Sequence, residues 1–152
     1  MSSKTELETS VQALLGLSEG ELEAELGRRL TQTAEELERN EPLSTMHAAG
    51  LTVDREALQS LPEFTTRAAA LFLKRFNQQM YSLVCDSTDP DHDKIRSTAA
   101  QGAAALGFAI SGALVATFGW LPGIASVIAV IIAKRFAKAG YQAVCEAWKE
   151  QL

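Results

Sequence analysis

The sequence predicts an all-α protein of about six helices, in which acidic amphipathic N-terminal helices pack around or beside an apolar C-terminal helical hairpin. Apolar residues recur every three or four positions through most of the chain, which is the helical period. No stretch alternates apolar and polar residues as a half-buried strand does. Between positions 97 and 133 there is no Asp, Glu, Lys, Arg or His, although an exposed helical face normally carries charge every turn or two.

Length and charge limit the organisation of the chain. Its 152 residues suit one domain, with an acidic part at 1–96 and an apolar part at 97–152. The first part holds seventeen of the nineteen acidic residues, which argues against a nucleic-acid partner. The opening residues are polar and contain no apolar signal segment. We therefore expect a cytoplasmic protein, with membrane association as a further option. Cys85 and Cys145 are expected to be free thiols, with a disulfide between them as the lesser alternative.

The first two helices are predicted from spacing and capping. Apolar residues at helical spacing predict a helix over 4–16. Ser18 and Glu21 match a capping box, in which each side chain accepts a hydrogen bond from the other residue's backbone N–H. Asn40 and Pro42 end the helix that this box opens. The second helix carries a narrow apolar stripe that predicts a helix–helix partner surface, formed by Leu22, Leu26, Leu30 and Leu37.

The middle of the chain predicts one short and two longer helices. We expect the short helix at 54–61 and a stronger one from about 62 to 85. Asp89 followed by Pro90 is a typical helix start, with an N-cap acceptor and then Pro at the first helical position. The helix that they open is expected to continue through Ile95 into the uncharged stretch.

The uncharged stretch is predicted to be a hairpin because it is interrupted once. Gly119 can end a first arm, and Pro122 can begin a second one but not lie inside a continuous helix. The arms at 102–119 and 121–133 contain 18 and 13 residues, whereas a bilayer core requires about 20 apolar residues. The second arm is expected to continue as an amphipathic helix to about Trp148.

Small residues give the first arm a face that a second helix can approach closely. Ala105 and Ala109, and likewise Gly112 and Ala116, have the small-xxx-small spacing that favours close helix packing in membranes. The same spacing occurs where helices of a water-exposed protein cross tightly. In its pattern the last third of the chain resembles the apolar hairpin inside pore-forming colicin domains. It is also similar to the Ala/Gly/Ile-rich helices of circular bacteriocins, although the net charge of −5 departs from those cationic proteins.

The residue types that act as catalysts or ligands in other proteins do not form a catalytic motif in this sequence. There is no nucleophile elbow, phosphate loop, dinucleotide fingerprint or CxxC motif, so we expect no enzymatic activity and no cofactor. The acidic run that begins at Asp86 lacks the Gly and the Glu of a calcium loop, and we interpret it as helix capping without metal. His92 is interpreted as an exposed residue at a helix start. The alternative is that its protonation senses acid. Ser111 and Ser126 are expected to bond back to their own helix.

Two main functions therefore remain open, and a third, minor one is a binder of small apolar ligands in which the hairpin lines a pocket. The first is a non-enzymatic protein that associates with or inserts into membranes, an oligomeric permeability effector acting through residues 102–138. The second is a soluble all-α interaction or oligomerisation module whose core is the hairpin. The partners would be membrane lipid, a second copy of the chain, or another helical protein. The predicted membrane or partner surface consists of Phe108, Ile110, Leu114, Phe118, Trp120, Leu121, Ile124, Ile128, Ile131, Lys134, Arg135 and Lys138.

Overall fold

The computed structural model describes residues 2–40, 53, 58, 63–86, 88 and 92–151. The predicted all-α class is confirmed, since these residues form helices and turns and none lies in a strand. The described part contains seven helices, whereas the sequence analysis predicts about six for the whole chain. They are α1 (Ser2–Leu15), α2 (Glu19–Glu38), α3 (Glu63–Cys85), α4 (His92–Ala99), α5 (Ala103–Phe118), α6 (Pro122–Ala139) and α7 (Tyr141–Glu150).

The turn between α1 and α2 has the geometry that its sequence predicts. The backbone N–H of Ser18 donates to Glu21 Oε1 at 3.0 Å, and the backbone N–H of Glu21 donates to Ser18 Oγ at 3.2 Å. This reciprocal pair satisfies two N–H groups that have no partner inside the helix. The capping box is therefore confirmed, and it fixes where α2 begins.

Helix α6 lies at the centre of the fold. Every residue from 123 to 133 is buried, and the helix packs against α1, α2, α5 and α7. This part of the helix carries no charged residue, so it can be covered on all sides because no side chain has to reach water. The described residues therefore place the uncharged part of α6, residues 123–133, inside a layer of other helices. Within these ranges, no helix combines the length and the apolar character that a membrane crossing requires.

Glycines separate the last four helices. Gly119 adopts φ 69°, and its backbone N–H bonds to Val115 O at 3.0 Å, which ends α5 before Pro122 begins α6. Gly102 and Gly140 also have positive φ, at 115° and 89°. These two breaks correct the sequence analysis, which ran one helix from Ile95 into the uncharged stretch and another to about Trp148.

Two predicted features fall on residues that the structure does not describe. The helix start at Asp89 and Pro90 lies outside the described ranges. Of the short helix predicted at 54–61, only Leu58 is described, and it is helical.

Candidate functional site

The structure divides the predicted membrane or partner surface between the interior and the surface. Its aliphatic members are mostly core residues, while its aromatic members are half-buried. The buried members are Ile110, Leu114, Ile124, Ile128 and Ile131. The half-buried members are Phe108, Phe118, Trp120 and Leu121. The residues do not form one continuous exposed face.

Trp120, a member of the predicted membrane or partner surface, packs inside an aromatic cluster. Its ring centroid lies 5.3 Å from that of Phe72, 5.1 Å from that of Phe76 and 5.3 Å from that of Phe118. Tilted and edge-on aromatic contacts at such distances stabilise packing beyond the area that they bury. In this structure, Trp120 therefore attaches the α5–α6 connection to α3.

The three predicted cations have different surroundings. Lys134 is half-buried, and its Nζ donates to the backbone oxygens of Leu15 and Leu17. A cation at the end of α1 satisfies carbonyls that the helix leaves free and suits the negative end of the helix dipole. Arg135 and Lys138 are exposed. Lys134 thus belongs to the packing of α1 on α6.

The leucine stripe of α2 faces other helices of the same chain. Leu22 and Leu26 are fully buried, and Leu30 is half-buried against the core. Helix α2 uses this side to pack on α3 and α6. The side chain of Leu37 lies outside the described part.

A buried polar cluster joins α1 and α2 to the first turn of α6. The guanidinium of Arg29 donates from Nε to Glu25 Oε1 at 2.9 Å and from one terminal nitrogen to the backbone oxygen of Gly123 at 2.6 Å. Ser126 Oγ lies 3.3 Å from the same terminal nitrogen and 3.2 Å from Ser10 Oγ. Ser126 also bonds back to Gly123 O, as predicted, and Ser111 bonds back to Phe108 O.

Arg29 and Glu25 are both fully buried, so their charges depend on each other. Burial lowers the pKa of the Arg29 guanidinium, because the charged form loses more stabilisation from water than it gains from the attraction of Glu25. Arg28 also pairs with Glu25 Oε1, whereas Glu25 Oε2 is buried with no hydrogen-bond partner among the described residues. The spacing of Glu25 and Arg29 by four is a sequence signal for an ion pair. Its burial is visible only in the packed structure.

Cys85 and Cys145 form a disulfide, with their Cα atoms 5.6 Å apart. The expectation of two free thiols is wrong. It depended on an inferred compartment, whereas the helix packing brings residues 60 positions apart into bonding distance. The bond links the end of α3 to the middle of α7.

His92 is buried, at 4% exposure, so its interpretation as an exposed residue is also wrong. Its ring lies edge-on to that of Tyr141, with centroids 6.3 Å apart. Tyr141 stacks on Phe136 and donates its hydroxyl hydrogen to the backbone oxygen of Val84. Burial raises the pKa of Tyr141 to about 12. These contacts join α3, α4, α6 and α7 beside the disulfide.

The α5 surface that does not contact the core forms the floor of an open groove. The groove has a volume of about 680 Å³, with α1 on one side and α4 on the other. Glu8 and Lys94 are exposed residues that line these two sides. The floor is lined by Ala105, Phe108, Ala109, Gly112, Ala113 and Ala116. The small-residue face predicted from the sequence is therefore left open by the described residues.

Two glycines of α5 show which small residues the fold itself requires. A Cβ at Gly107 would lie 3.2 Å from Val11 Cγ1, so Gly107 allows α5 to approach α1 closely. A Cβ at Gly112 would meet no described atom within 4 Å. Glycine inside a helix costs about 1 kcal/mol relative to alanine. Packing among the described residues explains Gly107, but it does not explain Gly112.

The described residues contain no group of three or more His, Cys, Asp or Glu side chains that could hold a metal ion. Asp86 instead accepts hydrogen bonds from the backbone N–H and the hydroxyl of Thr88, which lower the pKa of its carboxyl. Comparison of the chain with protein-family models, with curated proteins and with solved structures gives no match.

Proposed function

We propose that this protein is a non-enzymatic helical interaction module, and that it binds an amphipathic helix of another protein in the groove between α1 and α4. The observation that carries the proposal is the groove itself, about 680 Å³ in volume, whose floor consists of α5 side chains that are small except for Phe108. Small residues let two helix backbones approach closely. Helix-in-groove docking is a common mode of peptide recognition.

The shape of the groove favours a helix from another protein over a symmetric contact between two copies. A two-fold dimer brings the same surface patch of each copy together. Two concave patches leave a space between them, whereas a convex helix fills one. The partner surface is thus the open side of α5, and the leucine stripe of α2 contributes to the internal core.

Charge at the sides of the groove defines the partner further. Glu8 lies on the α1 side and Lys94 on the α4 side, so a helix with a cation on one flank and an anion on the other complements both. Such rim charges set orientation and specificity more than affinity. The partner is therefore a helix with a small apolar stripe and flanks of opposite charge.

Gly112 provides the means to test the groove without disturbing the fold. Gly112→Leu places a side chain on the floor where a Cβ meets no described atom within 4 Å. The probes are synthetic amphipathic helices with an Ala stripe and mixed, all-acidic or all-basic flanks, and titration calorimetry measures their affinity. The unmodified chain should bind the mixed-flank helix best. The G112L variant should keep its thermal stability and lose at least tenfold in affinity.

A charge variant tests the orientation independently. Glu8→Lys makes both sides of the groove cationic, so the preference should move to the helix with all-acidic flanks. Failure of every probe to bind the unmodified chain would contradict the proposal. Equal binding by G112L would contradict it as well.

Insertion into a membrane, the other function that the sequence predicts, stays a prediction. It would require α6 to leave α1, α2, α5 and α7, and thus to break the Arg29–Gly123 and Ser10–Ser126 contacts. Flotation with anionic phospholipid vesicles between pH 4 and pH 8 tests it. Vesicle-bound protein together with no helix binding would favour insertion over the interaction module.

A further inference from the structure

A second concave site lies on another side of the molecule, between α3 and α7 and above α6. Two neighbouring cavities of about 450 and 150 Å³ share the lining residues Asn77, Ile132, Arg135 and Trp148. Together they form one cleft. Its volume is within the range of about 300–1,000 Å³ that is typical of small-molecule sites.

The walls of the cleft are mainly apolar. Helix α6 contributes Ile128, Ile131 and Ile132, and α7 contributes Val144 and the indole of Trp148. Helix α7 has no fully buried residue, so its apolar side is covered only in part. An aliphatic chain that entered the cleft would itself leave water, at about 0.8 kcal/mol for each CH₂ group buried.

The polar groups at the cleft are mostly donors. Lys74 and Arg135 are exposed residues that line it, and none of the described lining residues is Asp or Glu. The side-chain oxygen of Asn77 accepts a hydrogen bond from Trp148 Nε1 at 2.6 Å, which leaves the Asn77 amide nitrogen as a donor. The cleft therefore combines an apolar floor with two cations and an amide N–H.

We infer that this cleft binds a single-chain amphiphile with an anionic head, a free long-chain carboxylate. The aliphatic chain lies along Ile132 and Trp148, and the carboxylate accepts hydrogen bonds from the Arg135 guanidinium. Lys74 adds a second positive charge. The disulfide links α3 and α7 at Cys85 and Cys145, which limits their separation and keeps the site formed in the absence of ligand.

Trp148 allows binding to be measured directly. Trp120→Phe leaves Trp148 as the single tryptophan, and its fluorescence is followed while dodecanoate is added below its micelle concentration. We expect a saturable change for dodecanoate and at least tenfold weaker binding of dodecanol, which has the same chain without the charge. Shortening the chain should weaken binding about fourfold per methylene. Calorimetry on the unmodified chain repeats the titration without the Trp120 substitution.

A matched pair of substitutions tests the role of the cation. Arg135→Gln should weaken dodecanoate binding about tenfold, since a hydrogen bond to a charged group is lost. Lys138→Gln removes an exposed cation of the same helix that does not line the cleft, and it should leave the affinity unchanged. The G112L variant should also bind dodecanoate normally, which separates this site from the groove on α5.

Three results would overturn the inference. They are equal binding of dodecanol and dodecanoate, equal affinity of the R135Q and K138Q variants, and binding to anionic phospholipid vesicles without any binding of monomeric dodecanoate. The last result would assign the cations to a membrane surface.

Discussion

Gly107 and Gly112 lie five positions apart in the same helix, but only one of them is packed against another helix. Gly107 is buried where α5 approaches Val11 of α1, whereas Gly112 faces the open groove. A sequence pattern of small residues does not distinguish these cases, because the spacing that allows close packing is the same. Only the position of the neighbouring helices decides which glycine another side chain packs against.

This difference predicts opposite effects of one substitution on stability. Gly112→Ala should raise the free energy of unfolding by about 0.5–1 kcal/mol, since alanine is the better helix former and meets no neighbour. Gly107→Ala has the same gain in helix propensity, but the added methyl lies 3.2 Å from a buried valine methyl, and such crowding costs about 1–3 kcal/mol, so the net change should be a loss of up to about 2 kcal/mol. Urea denaturation followed by circular dichroism measures both. Equal stabilisation by the two substitutions would show that α5 does not pack on α1 as described.

Because Arg29 is buried beside Glu25, replacing its side chain should cause a large loss of stability. Arg29→Met should cost about 2–4 kcal/mol, because Glu25 stays buried with fewer partners. A double variant, Glu25→Leu with Arg29→Met, should recover much of that loss, since no buried charge remains. Arg135→Met is the exposed control and should change the free energy of unfolding by less than about 0.5 kcal/mol. A double variant no more stable than R29M would contradict the buried-pair account.

Tyr141 predicts a change in stability at high pH. An unperturbed tyrosine has a pKa of about 10, and in the folded chain the pKa of Tyr141 is raised to about 12. The folded state therefore retains the phenolic proton more strongly. The stability that this contributes is fully present below pH 10 and is lost as the pH rises toward 12. Absorbance at 295 nm in a Tyr81→Phe variant follows Tyr141 alone, and titration near pH 10 would contradict its burial.

At the scale of the helices, capping signals located some boundaries and glycines set others. Ser18 and Glu21 are three positions apart and are each other's partners, so their hydrogen bonds follow from the sequence alone. Gly102 and Gly140 break helices at positive φ, yet a single glycine costs a helix only about 1 kcal/mol. Tertiary packing decides whether such a glycine bends the chain. The sequence therefore predicted the first two helices more accurately than the last four.

Helix α7 depends on the disulfide more than any other described helix does. None of its residues is fully buried, and its contacts with α3 include the Cys85–Cys145 bond and the Trp148–Asn77 hydrogen bond. Reduction by a dithiol should therefore raise amide hydrogen exchange across 141–150 while the central part of α6 stays protected. The free energy of unfolding should fall by up to about 4 kcal/mol, as expected for a loop of this length.

The double variant Cys85→Ser with Cys145→Ser should show the same exchange pattern without any reductant. The unmodified chain treated with oxidised dithiol serves as its control. Unchanged protection of α7 after reduction would mean that packing alone holds the helix in place.

At the scale of the whole molecule, the uncharged stretch predicted which segment avoids water, but it did not predict which helices enclose that segment. Thirty-seven residues without charge indicate a segment that avoids water, and α6 is indeed enclosed. Which helices enclose it depends on contacts between distant residues, such as Arg29 with Gly123 and Ser10 with Ser126. The groove and the cleft could not be predicted either, because each lies between helices from separate parts of the chain.

The central position of α6 predicts that its integrity controls folding of the whole chain. Ala129 is fully buried, so Ala129→Asp places a carboxylate where it cannot reach water, at a cost of several kcal/mol. Because domains of this size have stabilities of about 5–15 kcal/mol, we expect weak or lost folding of all helices together. Ala137→Asp changes an exposed position of the same helix and should cost no more than about 1 kcal/mol.

Circular dichroism and urea denaturation distinguish a structural core from an independent membrane effector. If α6 is the core, A129D loses helical signal throughout the chain and A137D retains it, because α1, α2, α5 and α7 all pack on α6. If the hairpin acts only on membranes, A129D keeps a cooperative transition close to that of the unmodified chain. That second result would contradict the architecture on which the interaction module depends, and it would make membrane insertion the better account of the uncharged stretch.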